Sequence, residues 1–303
     1  MKLNQLRAAL CVAEKGSLRS AARELGMSQP ALTHNIGELE RELGAPLFER
    51  RSHGMTPTPV GELFLRRAKV IASESRRAKE EVAQFLGSDQ GEVVVCLSIV
   101  AHLVLLPMAL PLFEARFPGV RLRVIEASFP AVEARLRDGS VDFFIGPAPD
   151  AGLSREFVLE HLFDNTRAVY ARHGHPLAHA RSLAELTEAR WITTAATDNA
   201  EEKFAEVFAR LQLPAPRVVA QAESMLSMLM MVMSSDVLAI SLRQYHEFPL
   251  TRSALQVIDV KEKLPAPRVV IVRRAALPLT PAAEYLADMF RRASVAYLQS
   301  VEV

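Results

Sequence analysis

The chain has 303 residues, 50% of them hydrophobic, 23% charged and 6% aromatic, with 13 Gly and 18 Pro, a composition that excludes a disordered or collagen-like protein and suits about two globular domains. Its longest uncharged apolar stretch, Ser224 to Ser235, stops at Asp236, short of the ~20 residues needed to cross a bilayer. The 36 Lys or Arg nearly balance 35 Asp or Glu, but residues 1–90 hold 14 against 11, so a mildly basic N-terminal part precedes a slightly acidic remainder.

The N-terminus runs straight into an amphipathic pattern with no apolar leader and no small-residue cleavage site, so a cytoplasmic protein with no membrane partner is expected. Leu3, Leu6, Leu10 and Ala13 recur at helical spacing, and Gly16-Ser17 ends that helix before a second short one carrying Ala21, Ala22 and Leu25. Gly26 breaks the second helix. Ser28 then N-caps a third, with Pro30 in its first turn, running through Leu32, Ile36, Leu39 and Leu43 to a stop at Gly44. A short helix, a tight turn and a longer helix headed by Ser-Gln-Pro is the geometry that lowers a helix N-terminus into the major groove. Its polar face offers Gln29, Thr33, His34 and Asn35 for base edges or phosphates, with Leu32, Ile36 and Leu39 opposite as core. A merely solvated face is the competing reading.

Pro46 to Arg50 and Met55 to Thr58 read as two short strands around the turn Arg51-Ser52-His53-Gly54, a wing whose Arg50, Arg51 and His53 can lie along phosphates or enter the minor groove. Thr58 caps and Pro59 begins a long helix that continues to about Leu86, which at 1.5 Å per residue spans ~40 Å. Heptads place Gly61, Ala68, Ser75 and Val82 on one seam and Phe64, Ile71, Ala78 and Phe85 on the other, with Arg66, Arg67, Arg76, Arg77 and Lys79 outside. Such a helix either pairs with its copy in a second subunit, presenting two third helices to a two-fold DNA site, or serves as a spacer.

The ordered set Gly16-Ser17-Leu18, Ala21-Ala22, Leu25, Ser28-Gln29-Pro30-Ala31-Leu32, Ile36, Leu39-Glu40, Leu43-Gly44, Leu47-Phe48, Arg50, Thr58-Pro59 and Gly61 resembles the LysR-type transcriptional regulators. The resemblance is dense over residues 1–65, and length and domain order also suit that family. It implies a winged helix-turn-helix over residues 1–58, a linker and dimerisation helix with its hinge over 59–90, and a C-terminal effector-binding domain of periplasmic-binding-protein type over 91–303. The implied fold is thus an all-α winged head and linker followed by a two-lobed, doubly wound α/β body. Carried over by position, Gln29, Pro30, Thr33 and His34 face DNA and Arg50 opens the wing, while Thr33 replaces the usual serine and His34 and Gly37 stand where arginine is common. Ser28, Arg51, His53 and Thr58 complete the DNA-facing set. Implied partners are double-stranded operator DNA, a small-molecule effector, a second copy forming a homodimer, two dimers forming a homotetramer, and RNA polymerase.

After the hinge Gly87 to Gly91, the body alternates: strand Val93 to Ser98, a helix to Phe117, strand Val120 to Glu126, helix Ala131 to Arg137 and strand Val141 to Ile145. A second unit follows, with strands near Arg167 to Tyr170, Trp191 to Thr194, Val218 to Ala222 and Val237 to Ser241, and helices around Glu201 to Leu211 and Met225 to Met233. Such alternation predicts a mostly parallel sheet. By the resemblance, strand Val269 to Arg273 and helix Pro281 to Leu298 return to the first lobe, giving lobe I as 91–163 and 268–303 and lobe II as 164–267. Ligands of open α/β sheets bind beyond strand C-termini. The effector candidates there are Ser98, Ile99, Ser128, Phe129, Gly146, Pro147, Thr193, Thr194, Ser224 and Met225. They provide hydroxyls, backbone amides and apolar walls, which with helix N-termini suit a small carboxylate, sulfonate or aromatic acid, although N-capping and strand-end packing explain each residue equally well.

Cys11 and Cys96 lie far apart in apolar surroundings and read as reduced core residues. His173, His175 and His179 share a Gly- and Pro-marked turn without a nearby Cys or carboxylate, and His246-Glu247 has no histidine three residues on, so no metal or other cofactor is expected. No nucleophile elbow, phosphate loop or dinucleotide fingerprint occurs, so no catalytic residue is assigned. The alternative from another class is a small-molecule receptor without DNA function.

Overall fold

A computed structural model describes residues 1–51, 54–127, 129–149, 152–194 and 200–301. The head comprises α1 (Leu3–Lys15), α2 (Leu18–Glu24) and α3 (Gln29–Leu43), then the antiparallel wing β1 (Phe48–Arg51) and β2 (Gly54–Pro57). Ser17 and Ser28 accept hydrogen bonds from Ser20 N and Ala31 N at the starts of α2 and α3. α3 ends where Gly44 turns left-handed at φ 71°, a conformation that costs other residues a Cβ clash. The long helix α4 (Pro59–Phe85) leads into the body.

Lobe I begins with β3 (Gly91–Leu97), a π-turn at Ala101–Leu105, α5 (Leu106–Arg116), β4 (Val120–Glu126), α6 (Phe129–Arg137) and β5 (Phe143–Pro147). The chain crosses on β6 (Phe157–Arg172) and builds β7 (Arg190–Thr194), α7 (Ala200–Arg210), β8 (Arg217–Ala222), α8 (Met225–Ser234) and β9 (Val237–Leu242). Short helices α9 (Gln244–Glu247) and α10 (Pro249–Arg252) precede β10 (Leu255–Ile258); β11 (Pro265–Arg274) crosses back, and α11 (Pro281–Val301) closes on lobe I. Val93, Val95 and Leu97 pack against α5 and α11 while Val94 and Cys96 pack on the α6 side, so β3 is buried on both faces and reads as an unbroken apolar run.

The sheet order is β4-β3-β5-β11-β6-β9-β7-β8, with β10 also on β6. Pairing is parallel inside each lobe, β3 with β4 and β5, and β7 with β8 and β9. It is antiparallel wherever β6 or β11 takes part. The predicted mostly parallel sheet therefore holds lobe by lobe but not across the whole. The strand expected at Arg167 to Tyr170 is the end of a 16-residue strand, and β10, α9 and α10 were not anticipated, because their short apolar runs carry no clear period. Neither β6 nor β11 breaks at residues 163–164 or 267–268, so the lobes share two continuous strands. Asn165 on β6 accepts from Gln244 Nε2 at 2.8 Å, which also meets Tyr297 Oη at 2.9 Å. Tyr297 in turn donates to Glu247 Oε2 at 2.7 Å, tying α11 to α9 across this hinge.

One expectation for α4 is corrected. Arg77, placed on its outer face by heptad counting, is 4% exposed and turned into lobe I. Its guanidinium lies 2.8 Å from Asp142 Oδ1 and donates to Gly139 O at 3.1 Å. Asp142 also accepts from Val94 N at 2.7 Å. Around this pair Ser73 donates to Gly139 O at 2.7 Å, Glu74 pairs with Arg274, and Gln84 Oε1 accepts from Ala282 N at 3.0 Å. Burial pushes the Asp142 carboxyl up and the Arg77 guanidinium down from their usual ranges, and their mutual attraction opposes both shifts. Ile71, Val82 and Phe85, by contrast, remain exposed.

Replacing Arg77 by Met strands a buried carboxylate, and a loss of ~3–5 kcal/mol is expected at neutral pH. Without its cation, the Asp142 carboxyl rises further above its unfolded value. The folded state then binds a proton the unfolded chain does not, so part of the loss returns as pH falls through that raised value. Thermal melts of Arg77→Met at neutral and mildly acidic pH check the sign.

Candidate functional site

The third helix is split as its periodicity requires. Leu32, Ile36 and Leu39 lie in one core with Ala8, Val12, Ala21, Leu47 and Leu65. Ser28, Gln29, Pro30, Thr33 and His34 are all exposed at its N-terminal half. Ser28 Oγ accepts from Ala31 N at 3.3 Å, which leaves its own proton to donate. Thr33 donates to Gln29 O at 2.9 Å, and His34 Nε2 stands 3.4 Å from Glu38 Oε1 one turn on. The Gln29 side chain has no hydrogen-bond partner among the described residues.

On the wing, Arg50 is exposed and makes no ion pair among the described residues. Arg51 is held by Glu49, its Nε donating to Oε1 at 2.9 Å, so it presents a partly neutralised charge. His53 lies outside the described residues. Thr58 is corrected from a DNA contact to a bracket: its single hydroxyl proton goes to Pro46 O at 2.7 Å, and its oxygen caps α4 by accepting from Gly61 N at 2.9 Å. A phosphate can only accept, and Thr58 has nothing left to donate. Met55 N donates to Gly16 O at 2.7 Å, and Glu40 Oε1 accepts from Leu47 N at 2.7 Å and Phe48 N at 3.2 Å, fixing the wing to the α1–α2 turn and to α3. Where α4 passes Leu47, a Cβ on Gly61 would overlap the Leu47 carbonyl oxygen, so only glycine fits.

In the body, the structure brings Ser98 and Gly146 together: Ser98 N donates to Ile145 O at 2.7 Å, and a Cβ on Gly146 would lie 2.8 Å from Ser98 Cβ. The Ser98 hydroxyl is buried with no partner among the described residues. Ile99 and Leu103, on the turn after β3, pack against lobe II with Met225, Met228 and Tyr245, so the lobes touch there. Ser224 caps α8, accepting from Ser227 N at 3.1 Å, and is exposed. Strand alternation places Thr194 on the α8 side with Ile192, and Thr193 on the opposite, α7 side with Trp191. Thr193 is 3% exposed and its hydroxyl too lacks a partner among the described residues. Pro147 is half-buried at the end of β5. Phe129 is corrected: it packs edge-on to Phe144 and Phe157, ring centroids 5.7 and 6.2 Å away, inside the lobe I core. Ser128 lies outside the described residues.

Tyr245, which the sequence reading missed, is buried beside Met228 in that lobe II cluster, and desolvation pushes its phenol up to about 12. Burial likewise pushes the Cys96 thiol up to about 11, so both free cysteines are packed, unreactive groups. His173 Nε2 lies 3.1 Å from Ser253 O, and His175 Nδ1 accepts from Leu177 N at 3.0 Å, as turn contacts. Among the described residues no helix is long and apolar enough to cross a membrane.

An outward polar helix over a winged three-helix head, joined by one long helix to a hinged two-lobed α/β body, defines a DNA-reading regulator class. A family profile described as "Bacterial regulatory helix-turn-helix protein, lysR family" matches residues 3–62, and one described as "LysR substrate binding domain" matches residues 86–294. The chain belongs to the LysR family: it is a LysR-type DNA-binding transcriptional regulator, and the family is one of regulators, not enzymes. It is 26% identical over 297 residues to the HTH-type transcriptional regulator GbpR of Azospirillum brasilense, covering 97% of this chain and 87% of that protein. It is 28% identical over 280 residues to GalR of Pseudomonas putida, covering 92% and 70%. A full-length OxyR variant from Pseudomonas aeruginosa superposes with a TM-score of 0.70 at 23% identity, covering 96% and 95%. CbnR complexed with its target DNA gives 0.69 at 18%, covering 97% and 100%.

Because the Gly61 backbone touches Leu47, Gly61→Ala must push the wing off α4, with an expected cost of ~1–3 kcal/mol. A lower melting temperature accompanied by weaker binding to all DNA sequences is the expected result; a variant melting like the parent would show that the contact relaxes freely.

Proposed function

We propose that the chain binds a two-fold operator as a homodimer through paired α3 helices and wings, and that a small effector in the interlobe cleft alters their relative placement. The observation that carries the DNA reading is the exposed face of Ser28, Gln29, Pro30, Thr33 and His34 over buried Leu32, Ile36 and Leu39. Arg50 supplies an unpaired wing cation for the phosphate backbone. Pairing of two α4 helices is supported by the exposed Ile71, Val82 and Phe85, a seam that a monomer leaves wet. Two further apolar strips, Met108 with Leu112 on α5 and Leu226 with Met230 and Met233 on α8, offer surface for body-to-body contacts in a dimer or tetramer. This reading keeps residues 1–58 as the DNA head, 59–90 as linker and 91–303 as effector domain.

For the effector, Ser98, Ile99, Gly146, Pro147, Thr194, Ser224 and Met225 supply the cleft walls, with Thr193 behind them. The partnerless Ser98 hydroxyl is the strongest support, because a buried unsatisfied hydroxyl is costly unless a ligand completes it. Binding shifts DNA affinity only by the difference in effector affinity between open and closed lobes.

Mobility-shift titrations with DNA from upstream of the gene test the first part. Gln29→Ala and His34→Ala should each relax sequence preference by ~1–3 kcal/mol per lost base contact, while Arg50→Ala weakens all sequences alike and flattens the salt dependence. Equal losses from all three would refute that division. Ser98→Ala should abolish the effector's influence on the shift while leaving effector-free DNA binding as it is; a retained response would move the pocket elsewhere.

A further inference from the structure

The cleft candidates contain no cationic side chain. Positive charge gathers instead on the other face of lobe II. There a groove of about 490 Å3 opens between α7 and the start of β11 with the residues just before it, within the ~300–1,000 Å3 typical of small-molecule sites. Its floor is apolar: Val207 and Leu211 beside α7, Ile240 on β9, and Pro265 and Pro267 of the hinge. Its rim carries Arg167, Lys203, Arg210 and Lys263 against the single carboxylate of Glu206.

Glu206 lies 3.2 Å from Arg210 and so answers that cation. Arg167 donates to Pro265 O at 3.1 Å, and it and Lys203 have other partners as well. Lys263 is exposed and has no ion pair among the described residues. An incoming anion therefore meets an excess of positive charge with one ammonium ready to approach it, above an apolar floor. Ile192 pairs with Ala239, so Thr193 and Ile240 are side by side on this same face, which puts the buried Thr193 hydroxyl, without a partner among the described residues, next to the groove's floor. None of Ser98, Ile99, Ser224 or Met225 lines the groove.

The hinge itself is irregular at this point. Pro267 has no N–H for the ladder, and the register of β11 on β6 shifts between Ala266 and Val269. A ligand wedged against Pro265 and Pro267 would press on the segment whose bend sets the angle between lobes.

We propose that this groove is a second ligand site, separate from the interlobe cleft, for an organic monoanion: a carboxylate or sulfonate carrying an apolar aliphatic or aromatic body. The acid group sits by Lys263 and Arg167, and the apolar body covers Val207, Leu211 and Ile240.

Fluorescence titration of the full-length protein with 1-anilinonaphthalene-8-sulfonate, with octanoate as competitor and octan-1-ol as its neutral counterpart, tests this. Saturable binding is expected that octanoate displaces better than octanol. Lys263→Glu and Leu211→Trp, both at exposed side chains that folding does not need, should each weaken it by about tenfold or more. Binding that survives both substitutions, or that fails in Ser98→Ala while persisting in Lys263→Glu, would overturn the proposal, the latter by placing the anion in the cleft. Absence of saturable binding below about a millimolar would also overturn it. Operator binding and effector response through Ser98 are read separately, so the proposed regulator function stands or falls independently.

Discussion

The buried pair of Arg77 and Asp142 decides how the parts of this protein move together. Each charge is taken out of water at a cost that the other offsets, helped by Val94 N and Gly139 O, so the pair holds in one geometry and fails if α4 slides or tilts. Val94 N, Gly139 O and the flanking contacts of Ser73, Glu74 and Gln84 extend that lock along α4. Linker helix and lobe I are consequently tied together by buried contacts, and the lobes are joined further on, where β6 and β11 pass between them.

At the other end of α4 the same rigidity is obtained by different means. The Thr58 hydroxyl and the bare Gly61 backbone clamp the helix start to Pro46 and Leu47, while Glu40 holds Leu47 and Phe48 from α3. The recognition face, the wing, α4 and lobe I thus form a continuous lever. In the proposed dimer, an effector that draws lobe II toward lobe I would change what lobe II touches in the second subunit, and through the lever the spacing of the two heads. No wire of side chains from pocket to DNA is required, only two rigid bodies and one hinge.

The body separates two kinds of surface. The front of the cleft is hydroxyl-rich and apolar, with Ile99 and Leu103 already resting on lobe II. The back of lobe II is basic above an apolar floor. If both proposed sites bind as inferred, two chemically distinct ligands would act on the same lobe angle.

Much of this was legible in the residues. The helix boundaries around Gly16, Ser28, Gly44 and Pro59 follow from local chemistry: glycine relieves a left-handed cap, a serine oxygen pairs an orphan amide, and proline fits a first turn. The two faces of α3 follow from a 3.6-residue period, and the ordered residues from Gly16 to Gly61 carry the resemblance to the family. What the sequence could not reveal depended on which distant surface each side chain meets. Heptad counting put Arg77 merely outside the apolar seam because it records only the phase of a helix, and no local pattern announces that Asp142 waits in lobe I. Thr58 and Phe129 sit at positions that suggested function, yet Pro46 and the rings of Phe144 and Phe157 claim them. The crossing strands, the side of the sheet that Thr193 faces and the gathering of Arg167, Arg210 and Lys263 on one groove come from pairings between residues far apart in sequence. Short-range chemistry writes helices, caps and turns, whereas charge partners and cavities exist only once the chain has closed on itself.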